Sequence, residues 1–405
     1  MNRWEALSIL MLLAFLNYLD RNLLPPLLDP IGRELGLSNA ELGALSTVFH
    51  IIYALSAPLV GYLSDRITRK KILLLALVVW SLVTAASGLA TGFLSLLILR
   101  SLTGLGEGGY FPTAVSLIGD LFEPRQRGLA IALHGVCTTL GGGAGLAVGG
   151  KLGERLSWRM PFFLAIIPGL VLAAVIAARF REPPRGRMRE LRAPPAAGPA
   201  GDRLVRRSYT RIVLSPAVLL IALSASTAAF MTAALTNFLP RFLTVERGLT
   251  VGSAGTATGL FFLITIPGQL AGGVLSDRLA ARGPAVRPFF AGFPYLLAAP
   301  AVLAVTQLSS VPAVLLCYGF AQLARGFAEP NIYGTVIDAV PALERGTAQG
   351  FMLAATFGGA SLGSWVTGLV IDASGYSAAF AVLAGFSAVA GLLALVLSRY
   401  LRTRR

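Results

Sequence analysis

The hexapeptide Gly-x-Leu-Ser-Asp-Arg occurs twice in this chain, as Gly61-Tyr-Leu-Ser-Asp65-Arg66 and, 212 positions later, as Gly273-Val-Leu-Ser-Asp277-Arg278. Both copies are short polar islands between apolar runs too long for a soluble fold. A membrane-embedded unit present in two copies accounts for both features. Composition agrees, since only 13% of residues are charged where a soluble protein carries about a quarter. The mean hydropathy is +0.72, and the 45 glycines suit close helix contacts in lipid.

A span needs about 20 mostly apolar residues. That rule predicts helices at 5–28, 40–62, 71–91, 94–118, 127–150 and 160–180, then at 212–240, 250–275, 288–306, 311–335, 345–370 and 376–398. The expected fold class is an all-α membrane protein of twelve transmembrane helices in two six-helix, pseudo-symmetric halves. The halves are 1–180 and 212–405, joined by a cytoplasmic linker at 181–211. An open sheet would leave backbone groups unpaired in lipid, and no period-2 alternation suggests a barrel. The start, Arg3 before an apolar run, looks superficially like a signal peptide. It has no small-residue cleavage site and continues to Asn17 and Asp20, so it reads as a retained first span.

With the N-terminus inside, inner segments carry 25 Lys and Arg against 6 in outer segments. This asymmetry places both termini in the cytoplasm. It also accounts for the net charge of +15 as topology and anionic-lipid contact, not nucleic-acid binding. The Pro-, Ala- and Arg-rich linker has no apolar period. Cys137 and Cys317 sit inside apolar runs and imply neither a disulfide framework nor a metal site. No cofactor is expected.

The repeat extends beyond the hexapeptide. Asn22-Leu-Leu-Pro25 matches Asn237-Phe-Leu-Pro240, and Gly36-Leu-Ser38 matches Gly248-Leu-Thr250, each placing a capping hydroxyl before a helix. At an offset of 218, Pro112, Asp120, Arg127 and Gly128 meet Pro330, Asp338, Arg345 and Gly346. Two parallel six-helix halves related by an axis along the membrane normal are a transporter architecture.

Gly61-x3-Asp65-Arg66-x-x-Arg69-Lys70 resembles the loop signature of the major facilitator superfamily, with Thr68 where that signature usually has Gly. Together with Asn17-Tyr18-Leu-Asp20-Arg21, Arg100-x3-Gly104-x-Gly106-Glu107-x-x-Tyr110 and Ile118-Gly-Asp120-Leu-Phe122, it resembles the spinster-type transporters of sphingolipids and lysophospholipids. Asn-Tyr-x-Asp-Arg and Ser157-Trp-Arg-x-Pro-Phe-Phe163 also resemble the organic-anion symporter branch. The resemblance implies alternating access around a cavity lined by spans 1, 4, 7 and 10.

Ionisable groups within the hydrocarbon are costly and normally face the bundle interior. In the first half these are Asp20 and Arg21 on span 1, and Arg100 and Glu107 on span 4. At about 1.5 Å per residue, Asp20 and Arg100 sit at nearly equal depth, so they are expected to be able to pair. A desolvated carboxylate favours its neutral form and an approaching arginine its charged form. Proton coupling is therefore assigned to Glu107 and Asp20, with Arg100 and Arg21 as partners, against a fixed ion pair as the plain alternative. In the second half Arg325 and Glu329 share one face of span 10, where an intrahelical pair is the alternative. Asn17, Tyr18, Tyr53, Tyr110, Asn237, Asn331 and Tyr333 are candidate cavity groups by position.

Asp65, Arg66, Arg69 and Lys70, with Asp277 and Arg278, are expected to latch the cytoplasmic ends of the halves in one state. Asp120 with Arg127, and Asp338 with Arg345, form the expected companion pairs. His50 and His134 read as interhelical polar contacts. With one His on each of two helices, no metal-binding spacing and no ATPase motif, a membrane enzyme or a primary pump is disfavoured. The reading is a proton-coupled secondary transporter of an amphipathic lipid-like substrate, acting as a monomer in the inner membrane. Symport of a small organic anion such as a sugar acid, and multidrug efflux, stand as alternatives.

Overall fold

A computed structural model describes residues 2–64, 66–183, 212–340 and 344–403. Regular secondary structure among the described residues is entirely helical. Span 1 is broken into α1 (Arg3–Arg21) and α2 (Leu24–Leu35). The break follows from sequence, because Pro25 and Pro26 supply no N–H and suit only the first turn of a new helix. Spans 2 and 3 are α3 (Asn39–Ser64) and α4 (Arg69–Ser87). Span 4 is α5 (Phe93–Glu107) and α6 (Tyr110–Leu121), and spans 5 and 6 are α7 (Pro124–Arg155) and α8 (Met160–Arg179).

The second half repeats the plan. Span 7 is α9 (Pro216–Val245) and span 8 is α10 (Val251–Phe262) with α11 (Thr265–Leu279). Spans 9 and 10 are α12 (Val286–Gln307) and α13 (Val311–Ala339). The continuous element α14 (Arg345–Thr403) holds spans 11 and 12, separated at Gly375, whose φ of 79° no other residue adopts cheaply. Among the described residues, nine helical stretches meet the length and composition of a membrane span. α14 counts once among them but crosses twice, and α3 and α5–α6 complete the twelve.

The loop signals repeat as well. Gly36 and Gly248, 212 positions apart, have φ of 68° and 67°, and each is followed by a capped helix. Ser38 and Glu41 bond each other's backbone N–H at 3.2 and 2.9 Å, and Thr250 accepts from the Ser253 N–H at 3.2 Å. The N-terminal half has two apolar cores, one around Trp80, Tyr110 and Phe122 and one around Leu27, Leu45 and Phe162. The C-terminal half has a single core around Phe238, Tyr318 and Phe380. The linker residues 184–211 lie outside the described residues.

The halves meet along α3 with α14 and α7 with α10. These contacts gather at the face opposite the termini, here called the far face. There Arg241 on α9 donates to Asn39 Oδ1 at 2.9 Å, Leu28 O at 3.1 Å and Asp29 Oδ1 at 3.2 Å. Deeper in, the Ser46 hydroxyl donates to Asn237 Oδ1 at 3.0 Å. The far face is closed.

Candidate functional site

Span 4 reaches its partners because glycines let it approach span 2. A Cβ on Gly104 would stand 2.6 Å from Phe49 O, and one on Gly108 would stand 2.9 Å from Tyr53 O. The close approach sets Arg100 and Glu107 against the Phe49–Tyr53 face of α3. From the other side, α1 ends at Arg21, a cation in the last turn of its helix, where the helix dipole favours positive charge.

These elements bring together four charges and four aromatic side chains. Glu107 is fully buried. Its Oε2 accepts from Arg21 Nη2 at 3.0 Å and Nε at 3.3 Å, while Oε1 has no partner. The Arg21 guanidinium lies 4.8 Å from the ring centres of Tyr18, Phe49 and Tyr53. Arg100 is 3% exposed, stands 4.8 Å from the same Phe49 ring, and has an unpartnered Nε. Asp20 is buried, accepts from Trp80 Nε1 at 3.2 Å on Oδ2, and has no partner on Oδ1. Asn17, 1% exposed, has neither amide atom partnered.

The pairing differs from the sequence expectation. Asp20 and Arg100 share a depth but form no ion pair; Glu107 takes Arg21 and Asp20 takes Trp80. Helix rise gives depth and not azimuth, and the break after Arg21 turns that side chain inward instead of letting it extend outward. Tyr110 also departs from the cavity role. It is fully buried in the N-terminal core, where its hydroxyl donates to Leu10 O at 3.1 Å and bonds His134 Nε2. His134 is thus a satisfied interhelical contact, and His50 bonds Ser46 O within its own helix at 2.7 Å.

In the second half Arg325 and Glu329 do not pair with each other. Arg325 lies 5.3 Å from the Phe262 ring centre and 3.5 Å from Gln322 Oε1, and Glu329 accepts from Gln269 at 3.3 Å. Asn331 is fully buried and donates to Phe327 O and Gly272 O at 2.8 and 3.3 Å. Tyr333 is 38% exposed and lies within electrostatic reach of Tyr18 and Glu329. Asn237 bridges to Ser46 and leaves its Nδ2 unpartnered. Phe49, Trp80, Ser46, Gln269 and Phe262 were not foreseen as site residues; an aromatic on an apolar helix carries no signal of its own until its neighbours are known.

The family model for the Major Facilitator Superfamily matches residues 10–321 and again 247–405. The chain belongs to the major facilitator superfamily. Among the superfamily's members it is 32% identical to a "Hexuronate transporter" of Bacillus subtilis (strain 168), over 96% of this chain and 93% of that protein. It is 31% identical to "Protein spinster homolog 1" of Xenopus laevis over 77% of this chain, and there it spans only 59% of the relative's length. The crystal structure of a bacterial homolog to the human lysosomal transporter spinster, inward-facing and unoccupied, superposes with a TM-score of 0.87. That match has 24% identity and covers 100% of this chain and 98% of that one. It therefore speaks to the fold.

The superfamily's loop signature is built differently from the expected latch. Asp65 lies outside the described residues. Arg66 and Arg278 are exposed, and Lys70 Nζ donates to Ala177 O at 2.8 Å. Arg69 is buried, pairing with Asp120 at 2.6 Å and Glu182 at 3.0 Å. Asp120 therefore pairs with Arg69 and not Arg127, whose Nη2 donates to Gly119 O at 2.7 Å. The second half repeats this. Arg287 pairs with Asp338 at 3.0 Å and Asp277 at 2.9 Å, while Arg345 donates to Ile337 O at 3.0 Å. Arg287 stands 218 positions after Arg69, so the repeat held the signal for it. In this conformation these pairs brace each half internally.

At Glu182 burial acts to raise the carboxyl pKa, but hydrogen bonds from Arg69 and from the Lys70 N–H outweigh it, and the group is held below the usual carboxylate range.

Proposed function

We propose that this superfamily member is a proton-coupled symporter of a small organic anion of the sugar-acid class. The observation that carries this is Arg100: a buried guanidinium beside Phe49, with an unpartnered Nε and, among the described residues, no carboxylate ion-paired to it. A substrate carboxylate is the ligand that a planar fork of N–H donors fits best. Asn17, buried within reach of Glu107 and with neither amide atom in a well-formed hydrogen bond, suits a hydroxyl-rich ligand.

Charge balance then supplies coupling. Asp20, Glu107 and Glu329 offset Arg21, Arg100 and Arg325, so the empty site is neutral with all six ionised. A monoanionic substrate adds one negative charge to a poorly solvated cavity, and a proton removes it. Asp20 is the acceptor we assign, since its Oδ1 is bare while Glu107 is held by Arg21. The full-length likeness to a hexuronate transporter supports the substrate class. We further propose that the face bearing the termini is cytoplasmic, that the membrane is a bacterial inner membrane, and that the monomer is the working unit.

The lipid reading has its own observation. Phe111 and Tyr333, on spans 4 and 10 next to the site's charges in sequence, are 39% and 38% exposed, apolar surface that suits an acyl chain. Proteoliposomes holding a pH-sensitive dye separate the readings. Adding glucuronate is expected to draw protons across the membrane with the anion, and Arg100→Gln is expected to abolish this. Proton movement with lysophosphatidylcholine and none with glucuronate would overturn the anion reading and favour the lipid one; movement only with unrelated cationic drugs would place the protein among efflux pumps.

A further inference from the structure

The far-face closure contains a symmetric device that the substrate site does not explain. Glu154, at the end of α7, accepts the Gly252 N–H through Oε2 at 2.6 Å, and Gly252 is in the first turn of α10 of the other half. Asp372, on the first limb of α14, accepts the Ala40 N–H at 2.8 Å and the Asn39 N–H and Nδ2 at 3.0 and 2.8 Å. Asn39 and Ala40 open α3, again in the other half. Each acid caps a helix that is not its own.

The two caps are copies of one another. Glu154 and Asp372 are separated by the repeat offset of 218, and Ala40 and Gly252 by the offset of 212. One turn before each acid stands a glycine that lets the backbones touch. A Cβ on Gly150 would lie 2.7 Å from Val251 O, and one on Gly368 would collide with Asn39 O. At the far face the same arrangement thus stands in both halves, as Gly150-x3-Glu154 and Gly368-x3-Asp372, with glycine setting the approach and the acid closing the contact.

We propose that Glu154 and Asp372 are the far-gate latches, holding the halves shut by capping each other's opposing helices. A helix N-terminus carries unsatisfied N–H groups and a partial positive charge, so a carboxylate there gains both hydrogen bonds and dipole attraction. When the gate opens both helix starts lose these caps, and water replaces them. The latches therefore set the population of the far-closed state without touching the substrate. The proposal is independent of which ligand is carried. Arg241 adds a third tie through Asn39 and Asp29 but has no repeat-related copy among these contacts.

The test is a distance measurement between spin labels at Leu89→Cys and Ser309→Cys, exposed positions in far-face loops of the two halves, with Cys137 and Cys317 replaced by Ser. In reconstituted full-length protein without substrate, the double variant Glu154→Ala/Asp372→Ala is expected to gain a longer-distance population. The far-open to far-closed ratio should rise about fivefold for each cap removed, the worth of one helix N-cap, and about 25-fold for both. Glu154→Gln/Asp372→Asn keeps an acceptor while losing charge, and is expected to fall between. Unchanged distances in the double alanine variant would overturn the proposal. So would equal broadening at a terminal-face label pair, which would mean general loosening; the Gln/Asn variant guards against misfolding of the alanine one.

Discussion

The Arg21–Glu107 pair gives the sharpest energetic prediction. Glu107 is fully buried with one oxygen already unpartnered, and Arg21 supplies both hydrogen bonds to the other. Arg21→Gln therefore leaves a buried carboxyl without its cation, a change that costs about 3–5 kcal/mol. It also removes the guanidinium from three rings at 4.8 Å, each contact worth about 0.5–1 kcal/mol. Glu107→Gln strands the arginine in the same way. The double variant Arg21→Gln/Glu107→Gln strands neither, so it is expected to be more stable than either single variant. Thermal unfolding of the solubilised protein, read by tryptophan fluorescence, measures this. A loss of about 10 °C for Arg21→Gln, with at least half recovered in the double variant, is the expected result. Additive losses in the double variant would refute the reasoning, because they would mean that the two groups do not answer each other's charge.

Three further outcomes follow from other contacts. Glu182 has a folded pKa below its unfolded value of 4.5, so its clasp on Arg69 adds stability that is complete above the unfolded value and is lost as pH falls through the folded one; Glu182→Gln is expected to lower stability at neutral pH and to flatten its fall in that acid window, so that the two proteins converge at low pH. Trp80→Phe removes the only donor on Asp20 among the described residues and is expected to cost about 1–3 kcal/mol and to shift the pH profile of uptake, where a purely structural role would lower its amplitude alone. Gly150→Val cannot be accommodated against Val251 O, so it is expected to pry α7 from α10 and expose Ala254→Cys, otherwise fully buried, to a membrane-impermeant thiol reagent.

Much of the fold was legible because membrane burial writes itself into long apolar runs, and because the repeat checks one half against the other. Spans 2 to 12 stand within about five residues of the expected ones, while span 1 runs on past its expected end at 28 to Leu35 as the second helix that Pro25 and Pro26 start. The candidate site was legible as a set of charges, since an ion in the hydrocarbon needs a reason to be there. Their partners were not. Asp20 and Arg100 share depth, but the Pro25–Pro26 break and the Gly104–Gly108 approach decide which side chains meet, and both depend on neighbouring helices. Tyr110 shows the same limit from the other direction: position on span 4 suggests the cavity, while packing against Leu10 and His134 turns it into the core. Arg287, Glu154 and Asp372 were readable from the 218 offset, yet only contact geometry gives that correspondence a meaning.

The most direct test of the proposed mechanism is to compare two modes of transport in Asp20→Asn. Labelled glucuronate exchange between equal internal and external pools needs substrate binding and alternating access, whereas accumulation driven by a pH gradient also needs the proton. The account predicts that Asp20→Asn retains exchange and loses gradient-driven accumulation. Accumulation equal to that of the unaltered protein would contradict it.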